Sequence, residues 1–251
     1  MPANSSGAPS GKAGAPAESG ATCTGCHGGI NTPLTGLITS NIPTSGFVPG
    51  QTYTITATIS RPGVTKYGFS ISPQNNSGAL MGNMIITNPE TQLVGMNKYV
   101  THTSSGTNAP SGTKTWTFDW IAPTADSVVF YGAFLAANGN STSSGDNTFT
   151  SQLKVYSQTY LSLQHKERLD KSIICYPNPV TDNQVTIHTD IDKIQTIQIC
   201  DYQGRFIYAK DNINQKTITL GLQDYQPGVY FIQVTLQNHG VISKKVLKSI
   251  N

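Results

Sequence analysis

Thr115-Trp116-Thr117-Phe118-Asp119-Trp120 alternates polar and aromatic residues without a break. In an extended chain successive side chains point to opposite faces. Trp116, Phe118 and Trp120 therefore share one face, and Thr115, Thr117 and Asp119 the other. Such large aromatics on one side of a strand need a core to cover them, and the same alternation recurs around this segment. Residues 51–60 set Tyr53, Ile55, Ala57 and Ile59 against Thr and Ser. Shorter runs at 67–72, 84–87, 99–103, 127–136 and 148–156 are separated by Gly, Pro, Asn and Ser, which supply turns. About seven strands within residues 47–157 predict a two-sheet β-sandwich.

A second β pattern fills residues 172–251, with runs at 185–189, 194–202, 206–209, 216–220, 229–236 and 241–247. Pro177-Asn178-Pro179, Gln203-Gly204, Pro227-Gly228 and Asn238-His239-Gly240 mark its turns. That spacing predicts a small immunoglobulin-like sandwich. Residues 158–171 break the β pattern, and the charge cluster at 165–171 reads as a solvated linker. Residues 1–46, rich in Gly, Ala, Pro and Ser near their start, read as an irregular arm forming one unit with 47–157. The fold class is all-β: two β-sandwich modules behind an irregular N-terminal arm.

Composition agrees with an exported chain. Of 251 residues only 12% are charged, while Thr, Ser, Asn and Gly are plentiful. The net charge of +3 comes without a basic cluster, so no nucleic-acid partner is indicated. No apolar run is long enough to span a bilayer. The first twenty or so residues lack the apolar core of a signal peptide. The expectation is that the signal is absent from this chain and that Met1 is an added start.

One segment of the arm names a chemistry. Cys23-Thr24-Gly25-Cys26-His27 is the spacing of a c-type haem attachment site. Each thiol adds across a haem vinyl group to form a thioether, and His27 supplies the proximal iron ligand. Gly25, Gly28 and Gly29 let the backbone pass close to a flat ring. Three other readings compete. A redox dithiol is expected beside a βαβ pattern, which is missing here. A structural zinc needs four ligands, and no second close-spaced Cys/His pair follows. A small structural disulfide between Cys23 and Cys26 stays open for an exported protein.

A haem of this kind takes a sixth ligand from elsewhere in the chain. His165 falls in the linker, and His188 and His239 fall in the second module. His102 is the first candidate, because alternation in Tyr99-Val100-Thr101-His102 places it with Val100 on an apolar face. The competing fate is a core histidine bonded to a backbone carbonyl. Met81, Met84 and Met96 form the fallback, although gap-filling is the ordinary role of methionine. Cys175 and Cys200 read as small apolar packing rather than as a disulfide. No Gly-x-Ser-x-Gly elbow, phosphate loop or paired-carboxylate site appears, and Asp146 reads as a turn residue after Gly145. The chain therefore reads as an electron carrier and not an enzyme.

Two resemblances extend this reading. Tyr176-Pro177-Asn178-Pro179, Asp201-Tyr202-Gln203-Gly204-Arg205, Gly228-Val229-Tyr230-Phe231-Ile232 and Lys244-Lys245-Val246-Leu247-Lys248 resemble the C-terminal sorting domain (type A) of type IX secretion cargo. That resemblance implies a Gram-negative cell, an outer-membrane translocon as partner, and a cell-surface or extracellular destination. Val48-Pro49-Gly50-Gln51-Thr52-Tyr53, Trp116 to Pro123, and Phe130-Tyr131-Gly132-Ala133 with Gly145-Asp146 resemble a bacterial reeler-type domain. This second resemblance implies a β-sandwich carrying one haem c on an N-terminal extension. The expected function is a secreted or cell-surface monohaem cytochrome with an unidentified redox partner. The alternative is a non-redox adhesion or filament module with a Cys23–Cys26 disulfide, and self-association is open in either case.

Overall fold

The chain falls into two units, Met1–Leu161 and Ser162–Asn251, and the computed structural model describes residues 4–140, 142–238 and 240–249. Met1 and His239 lie outside the described residues. The first unit opens with a 3₁₀ turn (Pro16–Glu18) and a one-turn helix α1 (Thr24–His27). It continues through β1 (Asn31–Pro33), β2 (Ile38–Ser40), β3 (Thr52–Ser60), β4 (Lys66–Gln74) and β5 (Asn83–Ile85). Strands β6 (Thr91–Val94), β7 (Tyr99–His102), β8 (Thr113–Ile121), β9 (Ser127–Ala137) and β10 (Asn147–Tyr156) complete it. One sheet has the order β1-β10-β9-β4-β7-β6 and the other β2-β3-β8-β5.

The aromatic alternation builds the core between these sheets. Trp116, Phe118 and Trp120 of β8 are all buried, beside Tyr53, Ile55, Ala57 and Ile59 of the adjacent β3. Trp120 meets Phe47 edge-on at 5.5 Å and Phe130 at 5.0 Å, while its Nε1–H donates to the Met81 carbonyl at 2.8 Å. Gly82 makes room for this ring, since a Cβ there would lie 2.5 Å from Trp120 Nε1. Trp120→Ala opens a cavity and orphans that carbonyl, so an expected loss of about 3–5 kcal/mol should appear as a lowered urea midpoint.

The outer face of the larger sheet is also covered, and the arm covers it. Ala13 and Ala15 pack against Tyr99, Val129 and Tyr131 in a separate apolar cluster. Glu18 Oε2 accepts from Tyr99 Oη at 2.8 Å, and Gln74 Oε1 accepts from the Ala17 N–H at 3.1 Å. Thr101 Oγ1 accepts from the Ala8 N–H at 2.9 Å. The arm is therefore less irregular than its composition suggests. Its Gly- and Pro-rich backbone finds partners on the sheet, and β1 and β2 add edge strands to both layers.

The second unit contains β11 (Ile173–Tyr176), β12 (Gln184–Thr189), β13 (Ile194–Asp201), β14 (Phe206–Lys210), β15 (Thr217–Gly221), β16 (Gly228–Leu236) and β17 (Gly240–Lys248). Its sheets run β11-β12-β15 and β14-β13-β16-β17. Val185, Ile187, Ile197, Ile199, Ile232 and Val234 fill the interior. Cys175 and Cys200 are both free thiols, and burial pushes Cys175 up to about 11.

The stretch 158–171, expected as a solvated linker, is helical, Gln158–Ser172 (α2), with only Leu169 buried. Its Leu, Gln, Lys, Glu and Arg residues are good helix formers. Ser157 Oγ accepts the Tyr160 N–H at 3.1 Å in the manner of a cap, and Lys171 pairs with Glu167 one turn earlier at 2.7 Å. Leu169 anchors the end of the helix in the second core.

Candidate functional site

Helix α1 is one turn long, and its length sets the geometry of the motif. The His27 N–H donates to the Cys23 carbonyl at 2.9 Å and Gly28 N–H to Thr24 O at 3.1 Å. Residues three and four apart lie on one face of a helix, so Cys23, Cys26 and His27 are brought together on the same side. Gly28 and Gly29 then take left-handed φ values of 64° and 79° and turn the chain into β1. Strand β1 runs parallel to β10 with Asn31 beside Thr148, and this register carries His27 to the residue preceding β10.

That residue is Asp146. His27 Nδ1 lies 2.7 Å from Asp146 Oδ2, and the carboxylate side chain is 1% exposed. A carboxylate accepts, so the ring proton is assigned to Nδ1 and the lone pair to Nε2. Asp146 Oδ1 accepts the Asn138 N–H at 2.9 Å, which holds the carboxylate against the end of β9.

Cys23, Cys26, His27 and Asp146 line a cavity of about 290 Å³, and so does His102 from β7. Its walls include Ala8, Pro9, Phe69, Leu135 and Ala137, with Lys12 and Lys66 as the cations among the lining residues. His102 is buried, as are all residues of β7. Alternation alone therefore could not separate a core face from a solvent face here. The imidazole fits because residue 68 is glycine: a Cβ there would sit 2.8 Å from His102 Cε1. His102 Nδ1 accepts the Phe69 N–H at 3.1 Å, and Nε2 lies 3.3 Å from the Asn4 carbonyl. These partners assign the proton to Nε2, the opposite tautomer to His27. Burial lowers the His102 pKa against the opposing hydrogen bonds to Asn4 and Phe69, and the nearby His27 adds to the lowering. The ring is held neutral, the form in which imidazole ligates metals.

The methionines stand apart from this cavity. Met96 is 86% exposed, Met84 packs in the sandwich core, and Met81 lies against that core; none is among the cavity's lining residues. Cys23 and Cys26 are free, and burial pushes the Cys23 thiol up to about 12, with Cys26 adding to the rise. Among the described residues no three or more His, Cys, Asp or Glu side chains cluster to hold a bare metal ion. Asp146 and Gly68 are the members of the site that sequence reading missed. The Gly145-Asp146 pair looks like any turn, and only the β1–β10 pairing brings it to His27.

Residues 174–249 match the family model of the secretion system C-terminal sorting domain. The second unit thus carries a type IX sorting domain, and the chain is cargo for the cell surface or the space outside it. No helix among the described residues is long and apolar enough to cross a membrane. No curated protein matches the chain. Among solved structures, the reeler domain of human F-spondin is 18% identical, over 51% of this chain and 94% of that one, with a TM-score of 0.39. A Bacteroides vulgatus protein with an immunoglobulin-like β-sandwich is 20% identical, over 31% of this chain and 84% of that one, with a TM-score of 0.27.

Proposed function

We propose that the chain is a monohaem c-type cytochrome that carries electrons at the surface of a Gram-negative cell or outside it. One observation carries the reading: the Cys23-x-x-Cys26-His27 turn and His102, distant in sequence, line the same cavity. In this reading Cys23 and Cys26 hold haem c covalently, His27 is the proximal ligand and His102 the distal one. The haem supplies one-electron transfer; the protein supplies tether, ligands and an apolar surround. Phe69, Leu135 and Ala137 give the cavity apolar walls. To present Nε2 as a ligand, His102 would have to move that proton to Nδ1, which gives up both the Asn4 carbonyl contact and the hydrogen bond Nδ1 accepts from the Phe69 N–H. Thr101 Oγ1 at 3.3 Å and the Phe69 carbonyl at 3.4 Å are the acceptors available to a proton moved to Nδ1.

The test is the visible spectrum of full-length protein made in cells with haem-attachment machinery. A c-type Soret band with haem retained under denaturing conditions is expected. A colourless protein with a Cys23–Cys26 disulfide, made in those same cells, would favour the adhesion or filament reading instead. The distal assignment has its own test in His102→Ala. Haem should stay attached while the ferric spectrum moves from low toward high spin, and added imidazole should bind within mixing time. An unchanged low-spin spectrum would overturn His102 as the distal ligand.

A further inference from the structure

We infer that Asp146 is a positioning residue for His27, holding the imidazole by a charged hydrogen bond and biasing the haem iron toward the ferric state. This rests on the cytochrome reading above and goes beyond it, since it assigns the control of potential to a residue outside the motif. The 2.7 Å contact between His27 Nδ1 and Asp146 Oδ2 is a charge-assisted hydrogen bond in length and type. The Asp146 side chain is only 1% exposed, so its charge is poorly screened by water. The second oxygen is occupied by the Asn138 N–H, which prevents the carboxylate from swinging away. Gly145 completes the cradle: a Cβ at that position would fall 2.7 Å from Asn138 Nδ2, which itself donates to the Ser144 carbonyl.

A metal-ligating histidine ordinarily donates its other ring N–H to a carboxylate, carbonyl or water, which fixes the tautomer and raises the basicity of the ligating nitrogen. Here the acceptor is a buried carboxylate, the most basic of these. Lys12 and Lys66 are the cations lining the cavity, and neither is paired with Asp146 among the described residues. The negative charge is therefore directed at the imidazole. A more basic ligand and a nearby anion both favour the higher oxidation state of iron, so the device lowers the reduction potential.

Haem-loaded full chains carrying Asp146→Asn, Asp146→Ala or Asp146→Glu separate positioning from mere packing. Asp146→Asn keeps the shape and removes the charge. At a fixed redox poise its ferrous-to-ferric ratio should rise about tenfold, the lower end of outer-shell effects. For one electron that factor equals 59 mV. The ferric electron paramagnetic resonance spectrum should spread its g-values as imidazolate character is lost, and Asp146→Glu should return both readouts toward wild type. Asp146→Ala should shift the potential at least as far. If Asp146→Asn fails to fold, Asp146→Ala, which also removes the carboxylate, decides by the same two readouts. Haem-loaded Asp146→Asn or Asp146→Ala with wild-type potential and g-values would overturn the role of Asp146 and leave the cytochrome reading standing. A wild-type chain without covalent haem would overturn both.

Discussion

Replacing Cys23 and Cys26 together with alanine is expected to give a folded protein that carries no covalent haem. The change in pigment should be complete and the change in fold small. Helix α1 contributes no fully buried residue, and neither thiol belongs to the core formed by Trp116, Phe118, Trp120 and Tyr53. Substitutions away from a core cost roughly 0.5 kcal/mol or less, so circular dichroism and the urea midpoint should stay close to wild type. His27 and His102 remain in the double variant, and added haem can still coordinate to them. That haem leaves in acidified acetone, whereas thioether-bound haem does not. Haem surviving extraction from the double variant would show that the thioether assignment is wrong. The comparison must be made in cells that attach haem, since elsewhere the two thiols of the wild type would simply oxidise. Single variants should keep one thioether and show a shifted haemochrome band.

The parts of the fold governed by local periodicity were legible. The alternating stretch 115–120 lies within β8, and 51–60, 127–136 and 148–156 differ from β3, β9 and β10 by a residue at most at either end. Each pattern answers to one physical demand, a buried face opposite a polar one. The parts that depended on distant partners were not legible. Strand β4 is buried along nearly its whole length, including Ser70, Ser72 and Gln74, because the arm lies over its outer face. Polar residues in alternation ordinarily mean solvent, and nothing local in 66–74 announces a cover. Strand β6 (Thr91–Val94) escaped for the opposite reason, being too short to show a period. Charge density in 165–171 signals exposure, which a solvated helix and an irregular linker share, so it did not announce α2. At the site, the tether and proximal ligand were visible as a motif, while Asp146 and the opposite tautomers of His27 and His102 are products of the packed fold.

Truncation before Ile173 is expected to leave the first unit folded and stranded in the periplasm. The reasoning begins with the cores. The first draws on residues from Ile38 to Val155 and the second on residues from Leu169 to Val246, so each has its own apolar interior. A unit with its own core can fold when the other is removed. Both tryptophans, Trp116 and Trp120, are buried in the first core, so selectively excited tryptophan fluorescence reports that unit alone. The truncated chain should therefore show the emission maximum and melting of that unit unchanged. It should also keep haem, because Cys23, Cys26, His27, Asp146 and His102 all precede the cut. Only destination should change, since the residues matching the sorting domain, 174–249, are gone. Protease shaving of intact cells, compared with osmotic-shock fractions, measures that destination directly. The truncated chain should be absent from the surface fraction, with a loss near complete rather than partial, because no second copy of the sorting residues remains. A coloured, folded first unit displayed on the surface at normal levels would mean that export information lies before Ile173.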